Sequence, residues 1–371
     1  MTRQQDSAAA SRRSAANSGF LGGEYGAALR LLFRARNFRH IPRLLREGPR
    51  PIFRLAIQAH NTAEIMRLLR EGWQLNFVSS FPRSGNTWVR YLLADVFLQA
   101  HGVATATELP VQPDKIVPDF YCHWIARRNV TIPTPGVFVK THETFAQLQE
   151  RFGGAGLRPG AGGSGAVAPF RGCKHVYLYR SPEDALVSLF HYYDQQRPLK
   201  ARAAAGIDGF CLANLPSWEE SLAGYLRASE EGFPVLFVTY ELLLQYPTEI
   251  LSNLLRWLGA RHDAATVERA VSNMQFTKLQ AVETRILLNE EAFFFRRGRK
   301  GSGRAELQAS TLDIIEKRTG QLMEQANARV LMQQSFQGIP ASSKTAQIRR
   351  DAAFQNRQSK RLPTVAKLER A

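Results

Sequence analysis

Leu75-Asn76-Phe77-Val78-Ser79-Ser80-Phe81-Pro82-Arg83-Ser84-Gly85-Asn86-Thr87-Trp88 is the stretch on which the fold turns. The apolar run Leu75–Ser79 reads as a buried strand, and Pro82, Arg83, Ser84 and Gly85 make a tight loop. Trp88, Leu92 and Val96 then recur along one face of a helix. Strand, glycine loop and helix start is the order that aims free backbone N–H groups at an anion. Ser84, Asn86 and Thr87 add side-chain donors, and Arg83 adds a permanent charge. The loop is not a Walker A loop, because Gly-x-x-x-x-Gly-Lys-[Ser/Thr] is absent. An ordinary capped helix after a turn would read the same over these residues alone.

Outward from this stretch, short apolar runs alternate with helical ones, which points to an α/β domain with a central parallel sheet. The remaining candidate strands are Val137–Lys140, His175–Tyr179 and Val235–Thr239. The third of the four runs into Arg180-Ser181-Pro182-Glu183-Asp184-Ala185-Leu186-Val187-Ser188. Ser181 suits an N-cap, Pro182 the first helical position, and Asp184 a capping-box-like spacing. Capping leaves Arg180 and Ser188 unexplained. Two helical turns after the cap, Ser188 can return toward an anion held by Arg180. The second strand ends in Lys140-Thr141-His142, and the C-terminal ends of parallel strands are where open α/β sheets place ligands. A basic stretch, Phe295-Arg296-Arg297-Gly298-Arg299-Lys300-Gly301, follows late in the chain. By itself it reads as a solvated turn.

Taken together, these segments resemble the sulfotransferases that use 3′-phosphoadenosine 5′-phosphosulfate (PAPS). Pro82–Trp88 is similar to their 5′-phosphosulfate loop, usually Pro-Lys-Ser-Gly-Thr-Thr-Trp, with Arg83 replacing lysine and Asn86 the first threonine. Arg180 and Ser188, eight residues apart and followed by Phe190-His191-Tyr192-Tyr193, resemble the 3′-phosphate site. Arg296, Arg297 and Gly298 resemble the late loop that closes over the same phosphate, with Ser302-Gly303 standing where the family has Asp-Trp.

The resemblance covers about 73–333 and implies a three-layer, P-loop-like α/β architecture. Within it His142 is the general base, while Lys140 and Arg83 neutralise charge on the transferring sulfuryl and leaving phosphate, with Ser188 beside them. Trp88, Tyr240 and Phe276 fall at adenine-lining positions, although as single aromatics each also suits a core. PAPS is the implied co-substrate and no metal is required. The acceptor, through a hydroxyl or amine, is a small molecule, a glycan or a lipid. Arginine for lysine alters one detail, since arginine keeps its proton and acts by charge alone. The alternative reading is a non-catalytic adenine-nucleotide-binding module whose basic ends engage partners or membrane. The absent Walker lysine weighs against a P-loop kinase.

Composition bounds these readings. A chain of 371 residues, 44% hydrophobic, can bury one sizeable core. Cys122, Cys173 and Cys211 are scattered and odd in number, with no metal spacing, which favours a reducing, cytoplasmic setting. No apolar run approaches the ~20 residues that span a bilayer, and no apolar segment follows the N-terminal arginines as a secretory signal requires. The net charge of +17 is carried mainly by the ends: residues 1–72 hold thirteen arginines against five acids, and 334–371 eight bases against two acids. A nearly neutral middle argues against a nucleic-acid partner.

Residues 1–23 are expected to be disordered and 334–371 to form a basic flexible tail. Residues 24–72 are expected to form a helical extension, with Leu29, Leu32 and Phe33, then Ile65, Leu68 and Leu69, at one-face spacing. Such a basic amphipathic segment can touch a membrane or pack on its own core. Gly48 and Gly72, each ending a Leu-Leu-Arg-Glu-Gly phrase, read as helix stops. Lys360, Thr364, Val365 and Glu369 match a dimer pattern of the same family but lie some sixty residues too late, and we read that match as chance.

Overall fold

The computed structural model describes residues 50–102, 113–125, 134–153, 169–195, 205–286 and 301–336. The described chain forms two compact units. One holds residues 50–65 and 120–125, and the other holds 66–119 together with the described residues after 126.

Helix α1, Arg50–Arg70, runs through both units in sequence. Ile65, Leu68 and Leu69 are buried, as their spacing predicts. The helix stops at Gly72, whose φ of 78° lets the N–H groups of Gly72 and Trp73 turn back onto the carbonyls of Leu69 and Leu68. In the first unit, buried Asn61 organises the turn at 120–125. Its Nδ2 donates to the carbonyls of Phe120 and His123, both at 2.8 Å, and its Oδ1 accepts the N–H of Ile125.

The second unit is built on a parallel sheet of β1 (Leu75–Ser80), β2 (Val137–Thr141), β3 (Lys174–Tyr179) and β4 (Val235–Thr239), in the order β2-β1-β3-β4. In register, Phe77 stands beside Val139 and His175, and Tyr177 beside Phe237. Every strand residue except Lys174 is buried, so helices cover both faces, as the unbroken apolar runs imply. The helices are α2 (Asn86–Ala100), α3 (Phe145–Leu148), α4 (Pro182–Gln195), α5 (Gly206–Glu230), α6 (Tyr240–Gln245), α7 (Pro247–Leu258), α8 (Ala264–Asn273), α9 (Phe276–Ile286) and α10 (Ala309–Phe336).

Both edges of the sheet are occupied. At β4 the Gln333 side chain of α10 takes the N–H of Phe237 at 3.0 Å and donates to the carbonyl of Val235 at 2.6 Å. At β2 the N–H of Lys140 donates to Pro118 at 2.9 Å, and Asp119 continues that contact as a parallel bridge. The core of the sheet is aromatic. His175 lies stacked on Phe77 with ring centroids 5.2 Å apart, edge-on to Phe145 and Phe170. Its two ring nitrogens have no hydrogen-bond partner among the described residues.

Candidate active site

β1 delivers the chain into a loop with two left-handed residues. Arg83 has φ 68° and Gly85 φ 97°. The left-handed region is natural for glycine and costs a residue with a Cβ of order 1 kcal/mol, so the conformation of Arg83 must be held by its surroundings. Two contacts hold it. Arg83 Nε donates to Ser188 Oγ at 3.2 Å, and the guanidinium lies 5.2 Å from the centroid of the Tyr192 ring. A Cβ at Gly85 would stand 2.5 Å from Tyr240 Cδ2, so the close approach of loop and aromatic ring admits glycine alone.

Gly85 caps α2 with no side-chain hydrogen bond, which leaves the first N–H groups of that helix for another acceptor. Ser84 is wholly buried beside them, and its Oγ has no partner among the described residues. A site with spare donors of this kind fits a phosphate group. Thr87 is half-buried in the first turn. Asn86 departs from the expectation that its side chain donates to the anion: Nδ2 is spent on the carbonyl of Val78 at 3.0 Å and on Ser80 Oγ at 3.2 Å. It ties the helix start to the strand end instead.

Across the sheet, Arg180 leaves β3 with its guanidinium 4.5 Å from the Tyr240 ring centroid and its Nη2 3.4 Å from Asp184 Oδ2. The N–H of Ser181 donates to the buried Glu241 carboxylate at 3.1 Å, and burial raises the pKa of Glu241. Asp184 departs from its expected capping-box role. Its carboxylate takes the N–H groups of Gly301 and Gly303 at 2.7 and 2.6 Å. Ser188, two turns into α4, meets Arg83, so the helix starting after Arg180 reaches the first loop. Arg296, Arg297 and Gly298 lie outside the described residues.

Trp88 and Tyr240 meet edge to face at 6.3 Å, and Trp88 Nε1 donates to the Met274 carbonyl at 2.7 Å. Phe276, two residues on, opens α9 half-buried. Two of the three aromatics expected around adenine, Trp88 and Tyr240, thus meet directly, and Tyr240 also faces Arg180.

His142 follows β2 where the chain is locally constrained. The hydroxyl of Thr141 accepts the N–H of Glu143 at 3.0 Å, and Thr144 caps α3 through a capping box with Gln147. His142 Nδ1 lies 2.8 Å from the Ser80 carbonyl, an acceptor only, so Nδ1 carries the proton and Nε2 keeps its lone pair. Burial, then the charge of Lys140, lowers the pKa of His142 from 6.5 to about 3, and the neutral ring prevails at physiological pH. Lys140 departs from expectation. Its Nζ is paired with Asp119 Oδ2 at 2.6 Å in a buried ion pair, so its charge is already compensated within the protein. Arg90 steadies that region from α2, donating to the Val117 carbonyl at 2.9 Å and pairing with Asp114. His191 is likewise committed, to Glu306 Oε2 at 2.6 Å.

Three residues of the site have no role assigned from the sequence: Asp119 lies outside the quoted motifs, and Ser80 and Tyr192 lie inside them without one. Ser80 joins His142 to Asn86, Asp119 engages Lys140, and Tyr192 backs Arg83. Among the described residues no group of His, Cys, Asp and Glu is arranged to hold a metal, and no helix is long and apolar enough to cross a membrane.

Residues 168–327 match the family model described as a sulfotransferase domain. The chain is 25% identical over 266 residues to a flavonol 3-sulfotransferase of Flaveria bidentis, covering 65% of this chain and 79% of the relative. Cytosolic sulfotransferase 13 of Arabidopsis thaliana is 27% identical over 263 residues, covering 65% and 74%. A mouse sulfotransferase crystallised with PAP superposes with a TM-score of 0.46 at 14% identity, over 79% of this chain and 95% of that one. The domain match over residues 168–327 and the relatives agree on one likeness: this chain is similar to sulfotransferases.

Proposed function

We propose that the chain transfers the sulfuryl group of PAPS to a hydroxyl or amine of an acceptor, using His142 as base and the Arg83 and Arg180 loops as the donor site. The observation that carries the reading is the Arg83–Ser188 hydrogen bond at 3.2 Å, which joins the two phosphate-loop candidates into one site. PAPS supplies an activated sulfuryl group on a phosphate leaving group. The N–H groups at the start of α2, with Ser84 and Thr87, hold the 5′-phosphate, and Arg83 faces the bridge between phosphate and sulfur. Arg180 holds the 3′-phosphate.

His142 Nε2 takes the acceptor proton as the new S–O or S–N bond forms and the bond from sulfur to the phosphate oxygen breaks. Nδ1–H, held by Ser80, keeps the ring in the tautomer that this step needs. A polyanion bound nearby raises the basicity of a histidine that burial has depressed, so the base strengthens when the donor is present. Because Asp119 compensates Lys140, the transition-state charge rests on Arg83 and the helix N–H groups more than on Lys140. The chemistry is positioning and electrostatics, with no covalent protein intermediate.

Titration calorimetry on the full chain tests the donor site. Adenosine 3′,5′-bisphosphate should bind much more tightly than AMP, and Arg180→Ala should cost about 1.5–3 kcal/mol of that affinity. Equal affinity for the two nucleotides sinks the reading. A mass-spectrometric screen of hydroxyl and amine compounds with PAPS then identifies the acceptor.

A further inference from the structure

Asp184 sits inside α4, four residues after Arg180, and the residue is 2% exposed. A buried carboxylate needs its charge matched, and three groups converge on this one. Oδ1 accepts the N–H of Gly303 at 2.6 Å, and Oδ2 accepts that of Gly301 at 2.7 Å. Oδ2 also faces Arg180 Nη2 at 3.4 Å. The first two distances are those of strong charge-assisted hydrogen bonds, whereas the third is longer. The carboxylate therefore directs most of its bonding at the turn, and it orients the guanidinium without engaging it in a two-point fork.

The turn is fixed to α4 by independent contacts. A Cβ at Gly303 would run into the Glu183 carbonyl oxygen, so the two backbones touch there. Arg304 pairs with Glu183 at 3.3 Å, and Glu306 with His191. Few local sequence signals would join these segments, since Asp184 reaches partners 117 and 119 residues away.

We infer that Asp184 is a positioning residue for recognition of the donor's 3′-phosphate: it sets the Arg180 guanidinium and docks the Gly301–Gly303 turn beside it, so the preference for a bisphosphate over a monophosphate depends on it. This rests on the donor-site reading above. Asp184 acts through Arg180 and the turn, and a general structural role would not single out one phosphate of the ligand.

The test measures the dissociation constants of adenosine 3′,5′-bisphosphate and AMP by calorimetry on the full chain and on Asp184→Asn. Asn keeps a hydrogen-bond acceptor and removes the charge. The bisphosphate constant should rise about tenfold, the effect of a lost charged hydrogen bond, while the AMP constant stays within about twofold. Gly303→Ala, which keeps the carboxylate and pushes the turn off Glu183, should reproduce the pattern and serves if Asp184→Asn does not fold. The inference is overturned if a folded variant keeps the parent's ratio of the two constants, or if both constants rise in equal proportion. Failure of both variants to fold overturns it too, by marking the contact as a folding requirement. A parent with no preference for the bisphosphate refutes the donor-site reading instead, and the two failures are thereby told apart.

Discussion

His175→Phe isolates a cost built into the sheet. His175 is fully buried among Phe77, Phe145 and Phe170, with both ring nitrogens lacking partners among the described residues. Burial lowers its pKa from 6.5 to about 3. The folded state keeps the ring neutral, while the unfolded chain takes up a proton below pH 6.5. Stability is therefore unaffected above 6.5 and falls as pH drops from 6.5 toward 3, at about 1.4 kcal/mol per pH unit. At pH 5.0 the loss from this one residue is about 2 kcal/mol, and at pH 7.5 it is close to zero. Phenylalanine cannot titrate. Urea unfolding of parent and variant, followed by tryptophan fluorescence at pH 7.5 and 5.0, should show the parent losing about 2 kcal/mol more than the variant over that interval. Any overpacking by the larger ring shifts the variant equally at both pH values, and His142, whose pKa is lowered in the same direction, is common to both proteins. Equal pH-induced losses in the two proteins would refute the reasoning.

His142→Ala should lower turnover by roughly 10²–10⁴-fold, the span of general-base catalysis, with bisphosphate binding unchanged; near-parent turnover with an identified acceptor would remove it from the mechanism. Gly85→Ala should abolish measurable bisphosphate binding, because the added Cβ meets Tyr240 at 2.5 Å and the φ of 97° disfavours alanine. Calorimetry giving the parent's affinity would mean that the loop relaxes without consequence.

The strands were legible because a buried parallel strand needs an unbroken apolar run, and β4 has the expected bounds while β1, β2 and β3 differ by one residue at an end. The places of Arg83, Arg180 and His142 were legible because each follows a strand end, and the roles given to them are those of the proposed function. What local spacing concealed were side chains that reach far along the chain. Asn86 reads as a phosphate donor because it stands in the loop, yet its amide turns back onto β1. Lys140 reads as an available cation because nothing in the motif announces Asp119, 21 residues earlier. Helix α2 reads as amphipathic through Trp88, Leu92 and Val96, but Arg90 and Asp95 are buried on it as well. Arg90 meets a carbonyl and a carboxylate that only the folded chain supplies.

The occupied edges of the sheet bear on how copies of this protein can associate. A strand from a second molecule could join only by hydrogen bonding to an open edge, and that is the route by which many β-sheets extend into larger assemblies. At β4 the Gln333 amide already imitates such an incoming strand, giving one acceptor and one donor to the backbone on either side of Leu236. At β2 the stretch through Pro118 and Asp119 does the same. At these positions an incoming strand would have to displace contacts already made, and Gln333→Ala would expose a backbone amide at β4 for a neighbouring strand to claim.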